Sequence, residues 1–401
     1  MTNDASAPTF TASECDAPPD PVAAVTHANP YGYYAQLRAG PPLVWDARLR
    51  LWVASRADVI QALLQEPALR VRPVSEPVPA AIAGQPAGEL FGHLVRMNDG
   101  PAHAAHRPVL QRALAGLDLS TVQAQALALA HAIAQDDRIP LADAVFDIPL
   151  QTVAQLLGFE DEALPQVAAW ARDFVACLSP LSSATQLEAA SVAALKLMTR
   201  LEALVAARPP RAASLLAAVQ ADTGTGQPVP RPLLANLAGL LSQTCDATAG
   251  LLGNCLVALA REPALRTLAG TREGLRAIVD ETARHDPSVQ NTRRFAAQAF
   301  PFGDTTIEAG QAVLLVLAAA NRDPAFNPAP DVFQTTRAVR RMLGFGHGVH
   351  ACPGEALAYT LAAAGLGALL AVRSAEVESL PDCGWSYWPS VNARIPLFRS
   401  N

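Results

Sequence analysis

Residues 233–260 form a stretch of twenty-eight residues in which Asp246 is the only charged side chain. A helix of this length could cross a membrane. However, Asn236, Gln243 and Asn254 also lie in the stretch, and polar groups are costly at bilayer depth. The pattern therefore favours the buried central helix of a large protein core, with a membrane-spanning helix as the alternative.

Helical patterns dominate the rest of the chain. Its 401 residues are 51% hydrophobic, which is enough to bury a large core. Apolar residues recur at helical spacing from about residue 102 to 268, with breaks at Pro140, at Pro180 and in the Gly- and Pro-containing residues 223–232. Further helices are predicted at residues 56–65 and 274–285.

Short strands are predicted on either side of this helical region. They lie at residues 43–45, 51–54, 293–302 and 305–317. A proline-rich loop (residues 323–331), a glycine-rich loop (residues 344–354) and a helix from residue 353 to about 371 follow. The expected fold class is mainly α with small β-sheets. Residues 1–20, polar and proline-rich, are expected to be a flexible arm before a single domain at residues 21–401, with a helical lobe and a small β-rich lobe.

Charge and cysteine spacing limit the partners and the compartment. Lys and Arg number 30 against 36 Asp and Glu, a net charge of −6 that offers no basic surface for nucleic acid or anionic membrane. The six cysteines show no paired spacing, and no export signal is recognisable at the N-terminus. We therefore expect a cytoplasmic protein, neither spanning nor anchored to a membrane, without a nucleic-acid partner.

The strongest chemical signal is a cysteine between a glycine-rich loop and a helix, in Phe345-Gly346-His347-Gly348-Val349-His350-Ala351-Cys352-Pro353-Gly354. Pro353 suits the first position of a helix, so Cys352 is expected at a helix N-terminus, whose partial positive charge favours a thiolate. The glycines would let the backbone approach a large flat ligand. The alternative is a buried cysteine beside a flexible loop.

This loop matches every fixed position of the pattern Phe-Gly-x-Gly-x-His-x-Cys-x-Gly, and it resembles the cysteine-ligand loop of the cytochrome P450 family. The resemblance implies haem b (iron protoporphyrin IX) as cofactor, with Cys352 as the axial metal ligand. Residues 320–324 and 392–396 also fit, so it covers nearly the whole chain from about residue 21. It implies the cytochrome P450 fold, with the haem between a long distal helix and the loop. The other loop residues implied to contact the haem are Phe345, Gly346, His350 and Gly354.

Glu281 and Arg284 lie three residues apart on one predicted helical face, where their side chains can pair. Alone, such a pair is usually an exposed surface feature. Here it stands upstream of the cysteine loop and is followed by Phe333-Gln334-Thr335-Thr336-Arg337, similar to the next signature of the family. The resemblance implies a buried ion triad of Glu281, Arg284 and Arg337.

Three basic side chains are implied partners of the two haem propionates: His103, Arg107 and Arg294. They stand in segments that resemble the family patterns Asp-Pro-Pro-x-His-x-x-x-Arg and Val-Gln-x-Thr-x-Arg, and the alternative is a solvated basic face. Met342 departs from the pattern, because many bacterial relatives have a propionate-binding histidine there. That contact is expected to be absent or replaced.

The most informative departure lies in the long distal helix. Relatives commonly read Ala-Gly-x-Asp/Glu-Thr-Thr, and the first Thr and its acidic neighbour help to deliver protons to oxygen. This chain reads Gln243-Thr244-Cys245-Asp246-Ala247-Thr248, with the acid present and Ala247 at the usual hydroxyl position. A register shifted by one residue would instead place Thr248 at the oxygen site. The candidate catalytic residues are therefore Asp246, Gln243, Thr244, Ala247 and Thr248.

The resemblance implies an oxidoreductase that inserts one oxygen of O2 into a small hydrophobic or natural-product substrate, as a monomer fed by a separate ferredoxin or flavodoxin. Arg340 and Arg341 are either a docking site for an acidic partner or a solvated face. The altered distal helix leaves open peroxide-driven oxidation, bond coupling or nitrogen chemistry, and a non-catalytic haem-binding protein is the third alternative. The expected pocket segments are residues 78–94, 170–182, 243–247, 289–292 and 387–388.

Overall fold

The computed structural model describes residues 17–206, 213–224 and 228–399. The predicted N-terminal arm lies outside the described residues up to residue 16. Its last residue, Asp20, is buried, accepts hydrogen bonds from the backbone N–H groups of Val22 and Ala23 at 2.7 Å, and pairs with Arg48. The folded part therefore includes the end of the predicted arm.

Helices make up most of the described residues. They are α1 (Tyr31–Ala39), α2 (Ala57–Gln65), α3 (Pro86–His93), α4 (Gly100–Ala115), α5 (Leu119–Gln135), α6 (Leu141–Leu157), α7 (Leu164–Val175), α8 (Ala184–Ala206), α9 (Leu215–Thr223), α10 (Arg231–Arg261), α11 (Leu265–Leu268), α12 (Arg272–His285), α13 (Leu317–Asn321), α14 (Glu355–Val372) and α15 (Ser374–Cys383). The predicted breaks at Pro140 and Pro180 are confirmed, because α6 begins directly after Pro140 and Pro180 lies before α8.

The strands form one five-stranded sheet and two hairpin-like pairs. They are β1 (Leu43–Asp46), β2 (Leu51–Ala54), β3 (Leu69–Arg70), β4 (Thr292–Ala296), β5 (Phe300–Phe302), β6 (Thr305–Ile307), β7 (Ala312–Leu315), β8 (Trp385–Tyr387) and β9 (Pro396–Phe398). The large sheet has the order β1-β2-β7-β4-β3, with β2 and β7 parallel and its other pairs antiparallel, while β5 pairs with β6 and β8 with β9. Each of the two long strands predicted after α12 is divided into two short ones, and the second ends before Leu317, which begins α13.

The central helix α10 runs through the helical core, as predicted for residues 233–260. Most of its residues are buried, and it packs against α6, α7, α12 and α14. A Cβ at Gly250 would lie 2.7 Å from Cβ of Ser288 and 2.9 Å from the carbonyl oxygen of Arg394. Only glycine therefore allows α10 to approach these two segments so closely.

Among the described residues, α14 is the one single helix whose length and apolar composition would suffice to cross a membrane, with 61% of its 18-residue window buried inside the fold. Helices α4 and α5, which lie at 78° to each other, would be long and apolar enough only if the two together formed one bent span. Buried core helices also pass this test, and α14 packs against α5, α10 and α12.

Candidate active site

A cavity of about 710 Å³ is lined by the cysteine loop and by the middle of α10. Its volume is in the usual range for small-molecule sites. Eleven of the thirteen predicted site residues line it, and Asp246 and His103 do not. The eleven are Gln243, Thr244, Ala247, Thr248, Cys352, Arg107, Arg294, Phe345, Gly346, His350 and Gly354.

Backbone hydrogen bonds hold the cysteine loop in a tight turn. The N–H of Cys352 donates to the carbonyl of Phe345 at 2.7 Å, and the N–H of Gly346 donates to that of Leu343 at 2.8 Å. Gly346 has a φ of +75°, and a Cβ there would stand 3.0 Å from the carbonyl oxygen of His350. The turn therefore requires glycine at this position, and it presents Cys352 to the cavity.

The helix after the cysteine begins later than predicted. Gly354 is the N-cap of α14, which starts at Glu355 rather than at Pro353. Cys352 is exposed towards the cavity, yet surrounding protein atoms desolvate it, and this burial raises the pKa of its thiol. A hydrogen bond from the N–H of Gly354 and the charge of Arg107 lower the pKa by less. The N–H at the helix terminus lowers the pKa of the thiol, as expected, but desolvation by the surrounding protein outweighs it.

Helix α4 carries Arg107 and His103 to the loop. Arg107 is buried and donates to the carbonyl oxygen of Ala351, and its Nε has no hydrogen-bond partner among the described residues. The ring of His103 lies 4.5 Å from that of His350, and its Nε2 is also buried without a partner there. Burial lowers the pKa of His103, and the charges of His350 and Arg107 lower it further.

Asp99 orients His350 from the start of α4. Its Oδ1 lies 2.9 Å from Nε2 of His350, and its Oδ2 accepts the N–H of Val71 at 2.9 Å. Burial raises the pKa of Asp99, but these hydrogen bonds outweigh it and hold the pKa below its usual value. The sequence pattern contained Asp99 but assigned it no function.

Arg294 reaches the cavity from β4. Its Nη1 donates to Thr292 Oγ1 at 3.1 Å and to the carbonyl of Arg293 at 2.8 Å. Burial lowers the pKa of Arg294, while the charge of Asp99 raises it. Met342, in contrast, does not line the cavity, because its sulfur lies 3.0 Å from the hydroxyl of Tyr359.

This donor set fits a haem. A thiol faces the cavity, and Arg107 Nε and His103 Nε2 are buried donors without partners, as carboxylates of a ligand would require. Apolar side chains form much of the remaining wall, among them Leu64, Leu240, Leu251, Val289, Leu317 and Leu361.

Gln243 and Ala247 lie on the cavity face of α10, one turn apart. The side-chain amide of Gln243 donates from Nε2 to the carbonyl of Gly239 at 2.9 Å. Thr244 forms no side-chain hydrogen bond within the described ranges, unlike Thr152 and Thr360, which each donate to the carbonyl four residues earlier at 2.8 Å. The hydroxyl of Thr244, a residue that lines the cavity, is therefore not held by the carbonyl of its own helix.

Asp246 does not line the cavity. Burial raises the pKa of its carboxyl, which a hydrogen bond with the thiol of Cys245 and the charge of Arg96 lower by less. The acid of the distal helix is thus separated from the cavity face by its position on the helix.

Sequence analysis missed Ser288 and Arg96. Ser288 donates its hydroxyl hydrogen to the carbonyl of Ala247 at 2.6 Å and also lines the cavity. Arg96 lines the cavity from the turn before α4. The signal available in the sequence was a single charge, Arg96, in the otherwise uncharged residues 94–98.

The predicted ion triad is present and contains a fourth member. Arg284 binds Glu281 Oε1 at 2.6 Å, Arg337 binds the same oxygen at 3.3 Å, and Arg340 binds Oε2 at 3.0 Å. Burial raises the pKa of Glu281, but Arg284 and the other donors hold it below its usual value. Arg340 is therefore paired within the protein rather than freely solvated, whereas Arg341 is exposed.

Four of the five expected pocket segments contribute to the cavity. Contributing residues include Ile82, Leu178, Gln243 and Val289. The expectation for residues 387–388 is wrong, because Tyr387 packs under Arg394, and residues 391 and 392 line the cavity instead.

Comparison with known proteins defines the class. The family model described as Cytochrome P450 matches residues 270–379. Cytochrome P450 144 of Mycobacterium tuberculosis is 31% identical over 318 residues, which are 75% of this chain and 71% of that protein. The biotin biosynthesis cytochrome P450 of Bacillus subtilis is 25% identical over 378 residues, 90% of this chain and 93% of its own length.

Solved structures agree with this assignment. The crystal structure of CalO2 has a TM-score of 0.80 at 22% identity and covers 94% of this chain and 97% of its own. The chain belongs to the cytochrome P450 family. It is thus a haem-iron oxidoreductase of the monooxygenase type with the cytochrome P450 fold.

Proposed function

We propose that the protein inserts one oxygen atom of O2 into a small hydrophobic or natural-product substrate, while the other atom leaves as water with two protons and two electrons. The observation that carries this proposal is that Cys352 and the α10 residues Gln243, Thr244 and Ala247 line one cavity. A cytoplasmic monomer is proposed with it, and the buried thiols of Cys177, Cys245 and Cys255, which form no disulfide bond among the described residues, support the reducing compartment.

Haem b held by Cys352 would supply the activation of O2, since a thiolate ligand favours O–O cleavage. Arg107, Arg294 and His103 would hold its propionates, and Asp99 would keep the ring of His350 in place. The apolar wall would bind the body of the substrate and exclude water.

Protons would reach the site along the cavity face of α10. A positioned hydroxyl can relay a proton within hydrogen-bond reach or through one water. Ala247 has no such group. Thr244, the residue directly after Gln243, has a hydroxyl that forms no hydrogen bond with the described residues. We assign Gln243 the orientation of substrate or water, because its Oε1 remains free while Nε2 binds the helix.

Electrons would come from a separate ferredoxin or flavodoxin. Exposed Arg341, directly before the cysteine loop, suits an acidic partner. Its neighbour Arg340 is occupied by Glu281, so that any basic docking surface here has one cation fewer than the sequence indicates.

The test compares two oxidants with the same substrate. Candidate substrates are first selected by a shift of the haem absorption band. Product formation is then measured with NADH, a ferredoxin reductase and a ferredoxin, and separately with hydrogen peroxide alone. We expect turnover that requires the reduced ferredoxin; absence of product under both conditions would contradict the proposal.

A second candidate function is peroxide-driven or another atypical haem-thiolate chemistry. It is favoured by Ala247 at the usual hydroxyl position together with Asp246 outside the cavity lining. Peroxide brings both oxygen atoms and the two reducing equivalents, so it reduces the need for external electrons. Turnover with peroxide that exceeds turnover with ferredoxin would assign this function.

A further inference from the structure

Arg96 is a cavity-lining cation without a partner. It lies in the turn Val95–Met97 between α3 and α4. Its side chain forms no hydrogen bond and no ion pair with any residue that the structure describes, and its Nε is buried. A guanidinium keeps its charge at physiological pH, and a desolvated charge without a counter-charge is costly.

The arginines next to haem-binding residues have internal partners. Arg107 donates to Ala351, and Arg294 donates to Thr292 and Arg293. Arg72, also at the cavity, donates to two backbone carbonyls and lies over the ring of Phe91. Arg96 differs from these three because its guanidinium has no acceptor within the part of the chain that the structure describes.

The turn that carries Arg96 lies beside α10, because the N–H of Val95 donates to Asn236 Oδ1 at 2.8 Å. Burial lowers the pKa of Arg96, and the groups that raise it are Asp246 on α10 and Cys177 directly after α7. The corresponding groups are Cys352 for Arg107 and, for Arg294, Asp99, which pairs with His350 of the cysteine loop. Arg96 is therefore separate from the cations that suit the propionates.

Asp246 attracts Arg96 through its charge but does not satisfy its donors. The two side chains form no hydrogen bond and no ion pair within the described residues, and Arg96 Nε is buried without a partner there. An acceptor from outside the chain would satisfy the guanidinium, and carboxylate and phosphate oxygens match its planar donors in pairs. The same cavity has apolar lining residues, which include Ile82, Leu178 and Leu240, and these suit a hydrophobic body attached to that anion.

We propose that Arg96 binds an anionic head group, a carboxylate or a phosphate ester, at the end of the hydrophobic substrate remote from Cys352. This inference deepens the proposed function and rests on it for the identity of the site. The substrate is accordingly amphipathic, and Arg96 fixes which carbon of its apolar body lies near the haem.

The test measures binding to the ferric holoprotein without turnover. Decanoate, decyl phosphate and methyl decanoate are titrated while the haem absorption band is recorded, and calorimetry gives a second value of Kd. At least one anion is expected to bind roughly tenfold more tightly than the ester, because a hydrogen-bonded charge contributes more than a neutral group. Comparison of the two anions shows which head group is preferred.

Arg96→Gln should remove this preference and leave the affinity for methyl decanoate within about twofold, since one charge–charge interaction is lost. Arg200→Gln, on the exposed face of α8, is the control and should retain it. Arg293→Gln tests the other cavity arginine without a side-chain partner within the described residues, and should also retain it.

Three results would overturn the proposal. They are equal affinity for anions and ester in the wild type, no detectable binding of either anion, and loss of the preference in Arg293→Gln but not in Arg96→Gln. Reduced haem content in Arg96→Gln with an unchanged preference would instead make Arg96 a propionate ligand, and would also overturn it. None of these readouts depends on oxygen, ferredoxin or peroxide, so failure of the proposed oxidation is detected separately.

Discussion

The hydroxyl of Ser288 donates a hydrogen bond of 2.6 Å to the carbonyl oxygen of Ala247, joining the segment after α12 to the middle of α10. The two residues are adjacent in space because Gly250, one turn later, leaves room for Cβ of Ser288. The carbonyl of Ala247, the residue that the family resemblance implies stands in place of a threonine, is thus held by a residue outside the helix. This bond fixes the distal turn without any help from the side chain at position 247.

Removing this bond should loosen the distal turn. We expect Ser288→Ala to lower the free energy of unfolding by about 1 kcal/mol, the usual net value of one hydrogen bond. Ser242→Ala is the matched control, because Ser242 is buried on the same helix but donates only within it, to Gly239 at 2.9 Å. Urea unfolding of both variants tests this; an unchanged free energy of unfolding in Ser288→Ala would show that the link to Ala247 adds no stability.

Gln243 and Thr244 are the two α10 side chains proposed to orient water or relay protons in the cavity. Gln243→Ala should lower product formed per electron consumed roughly tenfold, below the usual contribution of a general acid–base group. Thr244→Val, which removes the hydroxyl at nearly constant volume, should lower it less. NADH consumption and product are measured together with a surrogate ferredoxin system. A larger loss in Thr244→Val would transfer the role to Thr244, and unchanged coupling in Gln243→Ala would make Gln243 a packing residue.

Glu281 should be essential for folding. It is fully buried between three guanidinium groups, so Glu281→Ala leaves uncompensated buried charges, at a cost of about 3–5 kcal/mol. The variant should be poorly folded and poor in haem. Arg340→Gln removes the least buried of the three cations and should give a folded protein with a smaller loss. Thermal melting and haem content measure both effects, and a normally loaded, unchanged Glu281→Ala would refute a structural role.

The cluster of Glu281 and its three arginines also makes the stability of the protein depend on pH in the acid range. The pKa of Glu281 is lower in the folded protein than in the unfolded chain, so its stabilisation is present above the unfolded value of about 4.3 and is lost as pH falls through the folded value. The difference in stability between wild type and Arg340→Gln should therefore be largest near neutral pH and decrease below about pH 4. Urea midpoints across this range provide the measurement.

Local patterns predicted the fold better than they predicted the site. The spacing of apolar residues identified α10, α12 and the β1–β2 hairpin, because each depends mainly on its own sequence. Arg340 was misjudged because its partner, Glu281, lies far away in sequence. Whether the side chains of Thr244 and Arg96 find hydrogen-bond partners depends on which acceptors lie nearby in three dimensions. Spacing along the chain does not contain that information.

Ligation by Cys352 is tested by spectroscopy. The reduced protein with carbon monoxide should show the red-shifted absorption typical of thiolate ligation, because the turn around Gly346 presents the sulfur to the cavity. Cys352→His should remove this absorption while haem still binds through the remaining contacts. Cys245→Ser, on the buried side of α10, is the control and should keep it. A histidine-type spectrum in the folded wild type would contradict the assignment.

The last prediction concerns the alanine that replaces the usual threonine. If proton delivery already uses Gln243, Thr244 or ordered water, Ala247→Thr should leave turnover of the native substrate no better than before. A threonine at this position would also have its hydroxyl within reach of the carbonyl of Gln243, four residues earlier, which diverts it from the cavity. Ala247→Val is the matched control, because it adds the same volume without a hydroxyl. Product formed per NADH consumed is compared for the two variants, and similar values are expected. A several-fold gain in Ala247→Thr over Ala247→Val would instead show that the wild-type chain lacks a proton relay that one hydroxyl restores, and peroxide-driven chemistry would then become the better assignment for the unmodified enzyme.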